Sequence, residues 1–268
     1  MRIQGLDVSS IQGVMDWNKV KASSREYAFL KCTEGTMGRD SRFYNYCAPA
    51  RDAGILIGAY HFAYVSSPAE AQIEFFFKSS GGIGSAPGEL PPVIDIESPD
   101  PARWQQHGIT GKYALDWVTK AVETAKKLWG RAPIIYTGPY WWKSAGGYLA
   151  NAIEFLECKL WVANYVGPSK DGLMHEEWLP AETKNPIVPA PWKEWTFWQH
   201  GGLHQPGCAL DCDQDLFQGS YDDLRELALL PPEAPTVPVL DPAVTLQSTL
   251  NIMVEDFEEQ RRKDEKDS

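Results

Sequence analysis

The chain has 268 residues, of which 43% are hydrophobic, and it carries a formal net charge of −11. This length is sufficient for one large core, and α/β barrels of similar size commonly form a single domain. The negative charge argues against a nucleic-acid partner, which would require a basic face, and against adhesion to anionic membranes. No stretch approaches the roughly 20 apolar residues that span a bilayer, so we expect no membrane insertion.

The N-terminal segment begins with a strand-like pattern and lacks the long apolar region of a secretory signal peptide. We therefore expect the protein to be made in the cytoplasm without a signal peptide. Any action outside the cell would then require another exit route.

Cysteine usage indicates neither a disulfide scaffold nor a metal site. The five cysteines are an odd number at low density, and we expect most of them to be small core residues. His200, His204, Cys208 and Cys212 lie near one another in the sequence, but their spacing matches no common zinc pattern. We expect no metal and no cofactor, and the sequence leaves open whether any cysteines pair.

Strand-like and helix-like segments alternate along the first 230 residues. Apolar β-branched and aromatic runs predict strands at 3–9, 27–33, 56–64, 92–97, 133–137, 160–165, 195–200 and 209–213. Apolar residues at helical spacing predict helices at 17–23, 41–53, 68–78, 112–129 and 140–151. This order predicts an α/β fold, a single irregular parallel (β/α) TIM-like barrel, with a loop-rich connection between 161 and 195.

The composition changes after Leu230. Residues 231–238 are rich in proline, which predicts a stiff linker. Asp241 and Pro242 suit the N-cap and first position of a helix. The apolar residues that follow at helical spacing are Leu246, Leu250, Met253 and Phe257. We therefore divide the chain into a barrel at 1–230 and a linker with a charged C-terminal helix at 231–268, which receives no catalytic role.

Two carboxylates, Asp95 and Glu97, close the fourth predicted strand. Side chains alternate across a strand, so these two point to the same side, roughly 6–7 Å apart along it. Acids held this close at the end of a buried strand share their protons unequally, as an acid/base pair must. An isolated Asp-x-Glu is common in acidic proteins. The pair therefore indicates a catalytic site only together with other functional residues at neighbouring strand ends.

Other polar and aromatic residues lie where the remaining strands are predicted to end, which is where such barrels place their reactive groups. These residues are Asp7, Lys31, Glu34, Tyr60, His61, Phe62, Tyr136, Trp161, Tyr165, Trp198, Gln199, His200, Asp211 and Asp213. Aromatic faces stack on sugar rings and carboxyl groups protonate glycosidic oxygens, so the set indicates a polysaccharide ligand. Structural explanations also exist, such as a core histidine for His61 and core packing for Trp198.

Several runs in this order resemble a known family. They are Gly5-Leu6-Asp7-Val8-Ser9-Ser10, 29–36, Gly58-Ala59-Tyr60-His61-Phe62, Pro92-Val93-Ile94-Asp95-Ile96-Glu97, 133–136, Leu160-Trp161-Val162-Ala163-Asn164-Tyr165, Trp195-Thr196-Phe197-Trp198-Gln199 and 213–219. Together they resemble glycoside hydrolase family 25, the Chalaropsis-type lysozymes, which include many bacteriophage endolysins. The resemblance covers about residues 3–230.

The resemblance implies muramidase activity, the hydrolysis of the β-1,4 bond between N-acetylmuramic acid and N-acetylglucosamine in a peptidoglycan glycan strand. By position it implies Glu97 as the general acid, Asp95 as its partner, and Asp7 and Asp213 as further acids. The expected substrate-binding residues are Lys31, Glu34, Tyr60, Phe62, Tyr136, Trp161, Tyr165, Trp198 and Gln199. His200 and Asp215 depart from the Tyr and Asn that the family usually has at these positions.

Glu97 has the longer reach and lies at the strand end, so we assign the proton to it and keep Asp95 ionised. The sequence leaves the second step open. Either the acetamido group of the substrate attacks the anomeric carbon, oriented by Asp95, or a water held by Asp7 or Asp213 inverts the centre.

Two other classes of function are weighed against a muramidase: a chitinase-type N-acetylglucosaminidase and a non-catalytic glycan-binding barrel. A chitinase usually has a longer ladder of acids before its Asp-x-Glu pair, and here Pro91 and Val93 occupy those positions. A binding module has no need to cluster acids that repel one another. For a phage endolysin, we expect holin-assisted release through the membrane and action on the bacterial cell wall.

Overall fold

The computed structural model describes residues 2–165 and 185–232. The strands within them are β1 (Arg2–Val8), β2 (Tyr27–Glu34), β3 (Gly38–Arg39), β4 (Leu56–Tyr64), β5 (Val93–Ser98), β6 (Ile134–Thr137), β7 (Lys159–Ala163), β8 (Phe197–Leu203) and β9 (Cys212–Gln218). The helices are α1 (Trp17–Ala22), α2 (Phe43–Asp52), α3 (Ala69–Ser80), α4 (Gly111–Trp129), α5 (Pro139–Ser144), α6 (Gly147–Ala150) and α7 (Tyr221–Leu227). Three short 3-10 helices cover Ser10–Gln12, Pro101–His107 and Ile153–Glu157.

Eight of these strands close into a barrel. Their order is β1-β9-β8-β7-β6-β5-β4-β2, and the pairing of β1 with β2 completes the ring. The two-residue strand β3 adds to the edge of β2 as an antiparallel hairpin. The predicted TIM-like barrel is therefore confirmed.

The last strand differs from the prediction in both position and direction. We predicted a parallel strand at 209–213, whereas β9 covers Cys212–Gln218 and runs antiparallel to both β1 and β8. Only residues 204–211 connect β8 to β9. A parallel return requires a crossover of a dozen or more residues, usually with a helix, so this short connection produces an antiparallel pair.

The helix α4 shows how local sequence sets an element. The Thr110 side chain caps its first turn by accepting a hydrogen bond from the Tyr113 backbone N–H, at 3.1 Å. Gly130 ends it in the left-handed conformation, with φ of 71°. The periodicity predicts an apolar face that ends at Leu128, which is only partly buried, whereas the buried face ends at Trp129. Its other buried residues are as predicted: Ala114, Trp117, Val118, Ala121, Val122 and Ala125.

Strand side chains alternate between two apolar clusters. One lies between the strands and the helices and includes Leu30, Ile94 and Trp198. The other lies inside the barrel, and its aromatic members are Tyr27, Phe29, Tyr136, Trp161, Phe197 and Phe217. Phe29 stacks on Trp161 with ring centroids 4.4 Å apart, and Phe197 meets Phe29 edge-on at 5.1 Å. The inner cluster fills the lower part of the barrel and leaves its upper end to polar side chains.

Gly5 on β1 makes room for one of these inner rings. A Cβ at this position would lie 2.3 Å from Cζ of Tyr27, far inside van der Waals contact. The residues paired with Gly5 are Tyr27 on β2 and Asp215 on β9. The missing side chain therefore lets the Tyr27 ring lie across β1.

The cysteines divide into two groups. Cys32, Cys47 and Cys158 are buried and free, as expected of small core residues, and Cys208 and Cys212 form a disulfide bond. Among the described residues, no group of three or more His, Cys, Asp or Glu side chains could hold a metal ion.

No helix within 2–165 and 185–232 is both long and apolar enough to cross a membrane. The barrel unit ends at Pro232. The predicted C-terminal helix, and the predicted linker from residue 233 onward, lie outside the described residues.

Asp215 is an acid inside the barrel, below the polar upper end, and only 1% of it is exposed. Its Oδ1 accepts a hydrogen bond from Nε1 of Trp161 at 2.9 Å, whereas its Oδ2 has no hydrogen-bond partner in the described part of the chain. Burial raises the pKa of Asp215 well above its ordinary value of 3.8, and the charges of Asp7 and Asp213 raise it further. Asp215 therefore favours the protonated form in the folded protein.

We expect Asp215→Asn to stabilise the protein at neutral pH and to have little effect near pH 4. Well below pH 3.8 the carboxyl is protonated in both the folded and the unfolded state, so it does not lower the free energy of unfolding. As the pH rises, the unfolded chain ionises first, and stability is lost until the pH passes the raised pKa of the folded state. The gain in free energy of unfolding at pH 7 should be about 1–3 kcal/mol, measured by urea denaturation.

Asp223→Asn is the control of opposite sign, because Asp223 is an exposed helix-capping carboxylate whose pKa is lowered by its hydrogen bonds with Ser220. This variant should lose stability at pH 7 and not near pH 2. A pH-independent effect of Asp215→Asn would contradict the assignment.

Candidate active site

A cleft of about 250 Å³ opens at the end of the barrel where the parallel strands finish. Its lining combines acids, one lysine, amides and aromatic rings. The lining residues are Asp7, Ser9, Ile11, Gln12, Lys31, Tyr60, Phe62, Asp95, Glu97, Tyr136, Trp161, Tyr165, Gln199 and Asp213.

The four acids of the cleft come from three strands. Asp7 on β1 and Asp213 on β9 are direct partners in the antiparallel pair, which places their side chains on the same face. Asp95 on β5 is paired with Phe62 on one side and Tyr136 on the other. Glu97 follows two residues later on β5 and so faces the same way. The barrel thus brings together four acids that are far apart in sequence.

Asp95 and Glu97 lie in different surroundings. Asp95 is 6% exposed, and burial raises its pKa well above the ordinary value, with further increases from the charges of Glu97 and Asp7. This direction opposes the expectation from the sequence that Asp95 is the ionised member of the pair. The Glu97 side chain is exposed to the cleft, yet the protein around it still displaces water, and this together with the Asp213 charge raises its pKa. Glu97 is therefore an accessible carboxyl that holds its proton to higher pH than a free glutamate.

Asp7 and Asp213 are neighbouring acids, and both have raised pKa values. Burial raises the pKa of Asp213 to about 6. Burial and the Asp213 charge raise the pKa of Asp7 well above its usual value, whereas a hydrogen bond from Gln199 Nε2 to Asp7 Oδ2, at 2.7 Å, lowers it. Both carboxyl groups therefore hold their protons to higher pH than a free aspartate does.

Lys31 is a cation in the lining of the cleft. Its Nζ lies 2.7 Å from Oε2 of Glu34 and 4.8 Å from the centroid of the Phe62 ring. The positive charge lowers the pKa of both Asp95 and Glu97, against the larger effect of burial. Lys31 thus limits how far the pKa values of Asp95 and Glu97 are raised.

Aromatic rings form the floor and walls of the cleft. Trp161 is 2% exposed and meets Tyr136 edge-on with ring centroids 4.6 Å apart. Tyr60 lies against Trp161 at 6.4 Å, and Tyr165 stands at the rim with 56% of its surface exposed. Flat apolar faces beside carboxyl groups are what a sugar ring requires for binding.

Two residues predicted to bind substrate do not line the cleft. Trp198 is completely buried on the outer face of β8, where its Nε1 donates to the Asn164 carbonyl oxygen at 2.8 Å. Its neighbours Phe197 and Gln199 point inward, so alternation along the strand directs Trp198 outward. Glu34 accepts hydrogen bonds from Lys31 and Tyr64, and these lower its pKa although burial opposes them.

Both histidines near the strand ends are structural. His61 is fully buried between Thr33 and Gln72, with Nδ1 2.8 Å from the Thr33 hydroxyl, and burial lowers its pKa to about 4. His200 is buried on the outer face of β8 beside Trp198. His200 is therefore not among the residues that line the cleft. Asp211 also lies outside the cleft lining, and its backbone oxygen accepts from Gln12 Nε2 at 3.1 Å.

Three further residues that are not among the predicted site residues also line the cleft: Ser9, Ile11 and Gln12, in and just before the 3-10 helix that follows β1. Ser9 and Gln12 form a capping box, in which Gln12 Oε1 accepts from the Ser9 backbone N–H at 2.8 Å. The Ser-x-x-Gln spacing is a recognised helix-start signal and could have indicated this turn.

Chemically, the cleft can donate a proton from an accessible carboxyl and stabilise a developing positive charge with neighbouring carboxylates. These are the requirements of glycosidic bond cleavage through an oxocarbenium-like transition state. The aromatic floor supplies a surface on which the sugar can lie.

Comparison with known proteins agrees with this chemistry. The chain is 32% identical to lysozyme M1 of Streptomyces globisporus over 84% of its length and 71% of that protein. It is 26% identical to an N,O-diacetylmuramidase of Arthroderma benhamiae, over 84% of this chain and 86% of the relative. The crystal structure of a lysozyme from Streptomyces coelicolor superimposes with a TM-score of 0.72 at 31% identity, covering 84% and 96% of the two chains.

The signature of the family described as glycosyl hydrolases family 25 matches residues 6–205, which include Asp7, Asp95 and Glu97. Asp213 lies just beyond the matched segment, on the strand that pairs with Asp7. The chain belongs to glycosyl hydrolases family 25.

Proposed function

We propose that this protein is a peptidoglycan muramidase that hydrolyses the β-1,4 bond between N-acetylmuramic acid and N-acetylglucosamine, with Glu97 as the general acid. The observation that carries the proposal is the contrast within β5, where Glu97 is exposed to the cleft and Asp95 is buried below it. The names of the relatives, lysozyme and N,O-diacetylmuramidase, support the choice of substrate.

Glu97 meets the requirements for the proton donor. Its side chain reaches the cleft, and both the displaced water and the Asp213 charge raise its pKa. A general acid works best when its pKa lies near the working pH, so that it holds a proton and can still release it. Protonation of the glycosidic oxygen by Glu97 would let the leaving sugar depart as an alcohol.

Asp95 is proposed as the partner that orients the substrate. Its Oδ1 is a buried acceptor without a hydrogen-bond partner among the residues described, and Asp95 lines the cleft. An unpaired buried acceptor is costly, and a substrate N–H would satisfy it. Asp95 would then accept from the acetamido N–H of N-acetylmuramic acid, and the acetamido oxygen would attack the anomeric carbon.

Asp7 and Asp213 are proposed to supply the negative field that surrounds the reacting carbon. They are direct partners on the neighbouring strands β1 and β9, and both line the cleft. A positive oxocarbenium-like transition state gains more from fixed carboxylates than the neutral ground state does.

Digestion of purified peptidoglycan tests the function. After borohydride reduction of the new ends, mass spectrometry should identify reduced N-acetylmuramic acid. Glu97→Gln should lower kcat by about 10²–10⁴-fold with an unchanged melting temperature, because it removes the proton and keeps the shape. Glu194→Gln, an exposed acid that precedes β8 at the other end of the barrel, is the matched control with full activity. Reduced N-acetylglucosamine as the new end, or a kcat for Glu97→Gln within tenfold of the wild-type value, would falsify the assignment.

The pH dependence of kcat/KM tests the electrostatics around Glu97. Activity requires the protonated acid, so it should fall as pH rises through the pKa of Glu97. Asp213→Asn removes a charge that raises this pKa and should move the alkaline limb to lower pH. Lys31→Met removes a charge that lowers it and should move the limb to higher pH.

The two variants thus predict shifts of opposite sign, of the order of 0.5–1 pH unit for a single neighbouring charge. Lys193→Met, an exposed lysine outside the cleft, should leave the limb in place. Shifts in the same direction would show that the alkaline limb does not report Glu97.

We also propose that the protein acts on the wall of a host bacterium after release through a separate membrane pore. The support is the family resemblance, which includes phage endolysins. Expression in a susceptible bacterium should lyse cells only when a pore-forming holin is expressed with it, as followed by culture turbidity. Lysis by the enzyme alone would contradict this route.

A further inference from the structure

One amide in the cleft contacts three groups of the site at once. Gln199 on β8 is 4% exposed and points into the barrel. Its Nε2 donates to Asp7 Oδ2 at 2.7 Å, and its Oε1 accepts from the hydroxyl groups of Tyr136 at 2.8 Å and Tyr165 at 2.7 Å. These contacts connect β1, β6 and the end of β7 to a single side chain.

The hydrogen-bonding capacity of this amide is almost fully used. A carboxamide oxygen has two acceptor sites, and both are taken by tyrosine hydroxyls; its nitrogen has two N–H groups, and one is taken by Asp7. The orientation of the amide follows from these partners, because a rotated amide would turn its oxygen toward the Asp7 carboxylate. Gln199 was predicted to bind substrate, but little of its capacity remains for a sugar.

We propose that Gln199 is a positioning residue for the reaction, which fixes the Asp7 carboxylate and sets the direction in which the Tyr136 and Tyr165 hydroxyls point. The inference rests on the proposed function. It moves Gln199 from the substrate-binding set to the framework that holds the acids and aromatic rings in place.

The hydrogen bonds to Gln199 fix the donor and acceptor roles of the two tyrosine hydroxyls. Each hydroxyl hydrogen is committed to Gln199, so each tyrosine oxygen can only accept a further hydrogen bond. Tyr165, at the exposed rim, would therefore accept from a hydroxyl or acetamido N–H of the glycan rather than donate to it. Gln199 thus affects substrate recognition through Tyr165, and it affects the negative charge in the cleft through Asp7.

The residue type follows from the three contacts. A carboxylate at this position would accept from both tyrosines but repel Asp7, and a methionine would leave all three partners unpaired in a buried site. An amide supplies the acceptor and the donor together. Gln199→Glu and Gln199→Met therefore separate the two functions of the side chain.

The first experiment measures kcat/KM against pH for these two variants on peptidoglycan. Gln199→Met should lose about 10–100-fold at every pH, because Asp7 and the tyrosines lose their positions. Gln199→Glu should approach wild-type activity near pH 4, where the introduced carboxyl is protonated and can donate to Asp7. As the pH rises, the new carboxyl ionises beside Asp7, so the activity of Gln199→Glu should fall at a pH about one unit lower than that of the wild type.

Gln205→Met is the matched control. Gln205 is a buried glutamine, 1% exposed, and its Nε2 donates to the Ser23 hydroxyl outside the cleft. This variant should lower the melting temperature and leave the pH profile unchanged. A Gln199→Glu profile parallel to that of the wild type would reduce Gln199 to a structural role and overturn the proposal.

The second experiment does not depend on activity. Carbon-13 NMR titration of the aspartate carboxyl groups, with Asp7→Asn to assign the signal, should show a higher pKa for Asp7 in Gln199→Met, because the N–H that favours the ionised form is gone. An unchanged Asp7 pKa would overturn the proposal. If the wild type releases no reduced N-acetylmuramic acid, the proposed function fails, while this titration still decides whether Gln199 controls Asp7.

Discussion

The stacked rings of Trp161 and Phe29 inside the barrel form the support for the cleft. The two rings lie 4.4 Å apart, and Phe197 packs against the same Phe29 ring. The interior of an eight-stranded barrel is just wide enough for side chains to fill it. Trp161 also lines the cleft and is held from the side by Asp215. The depth of the cleft is therefore set by how high the aromatic packing reaches.

At the level of this floor and above it, the barrel interior holds acids whose negative charges repel one another. Asp7, Asp95, Asp213 and Asp215 all have raised pKa values, and burial is the first cause for each. Such groups lower stability as the pH rises, since the folded state resists ionisation. The same repulsion keeps a proton on a carboxyl in the cleft. The cluster of buried acids thus lowers stability at neutral pH and, at the same time, keeps a proton on a carboxyl in the cleft.

The general architecture and most of the cleft could be predicted from the sequence, because period-two alternation and strand ends depend on local pattern. The direction of β9 could not, since it depends on how a short connection closes the ring. The outward position of Trp198 follows from alternation once Gln199 is known to point inward, but the strand pattern alone does not show which face is which. The role of Gln199 depends on partners on β1, on β6 and in the segment after β7, so only the folded barrel reveals it.

The antiparallel return of β9 has a consequence for how this cleft tolerates insertions and deletions. Asp213 and Asp215 point inward, and Gln214 between them points outward, where its Oε1 accepts from Arg25. A lost or gained residue between Cys212 and Asp213 would reverse the two faces, sending both acids toward the helices and one glutamine into the barrel. In the connection at 204–211, side chains do not alternate between two faces, so a change in its length does not reverse the direction of any of them. Length variation in evolution should therefore accumulate in that loop and be excluded from the strand that follows it.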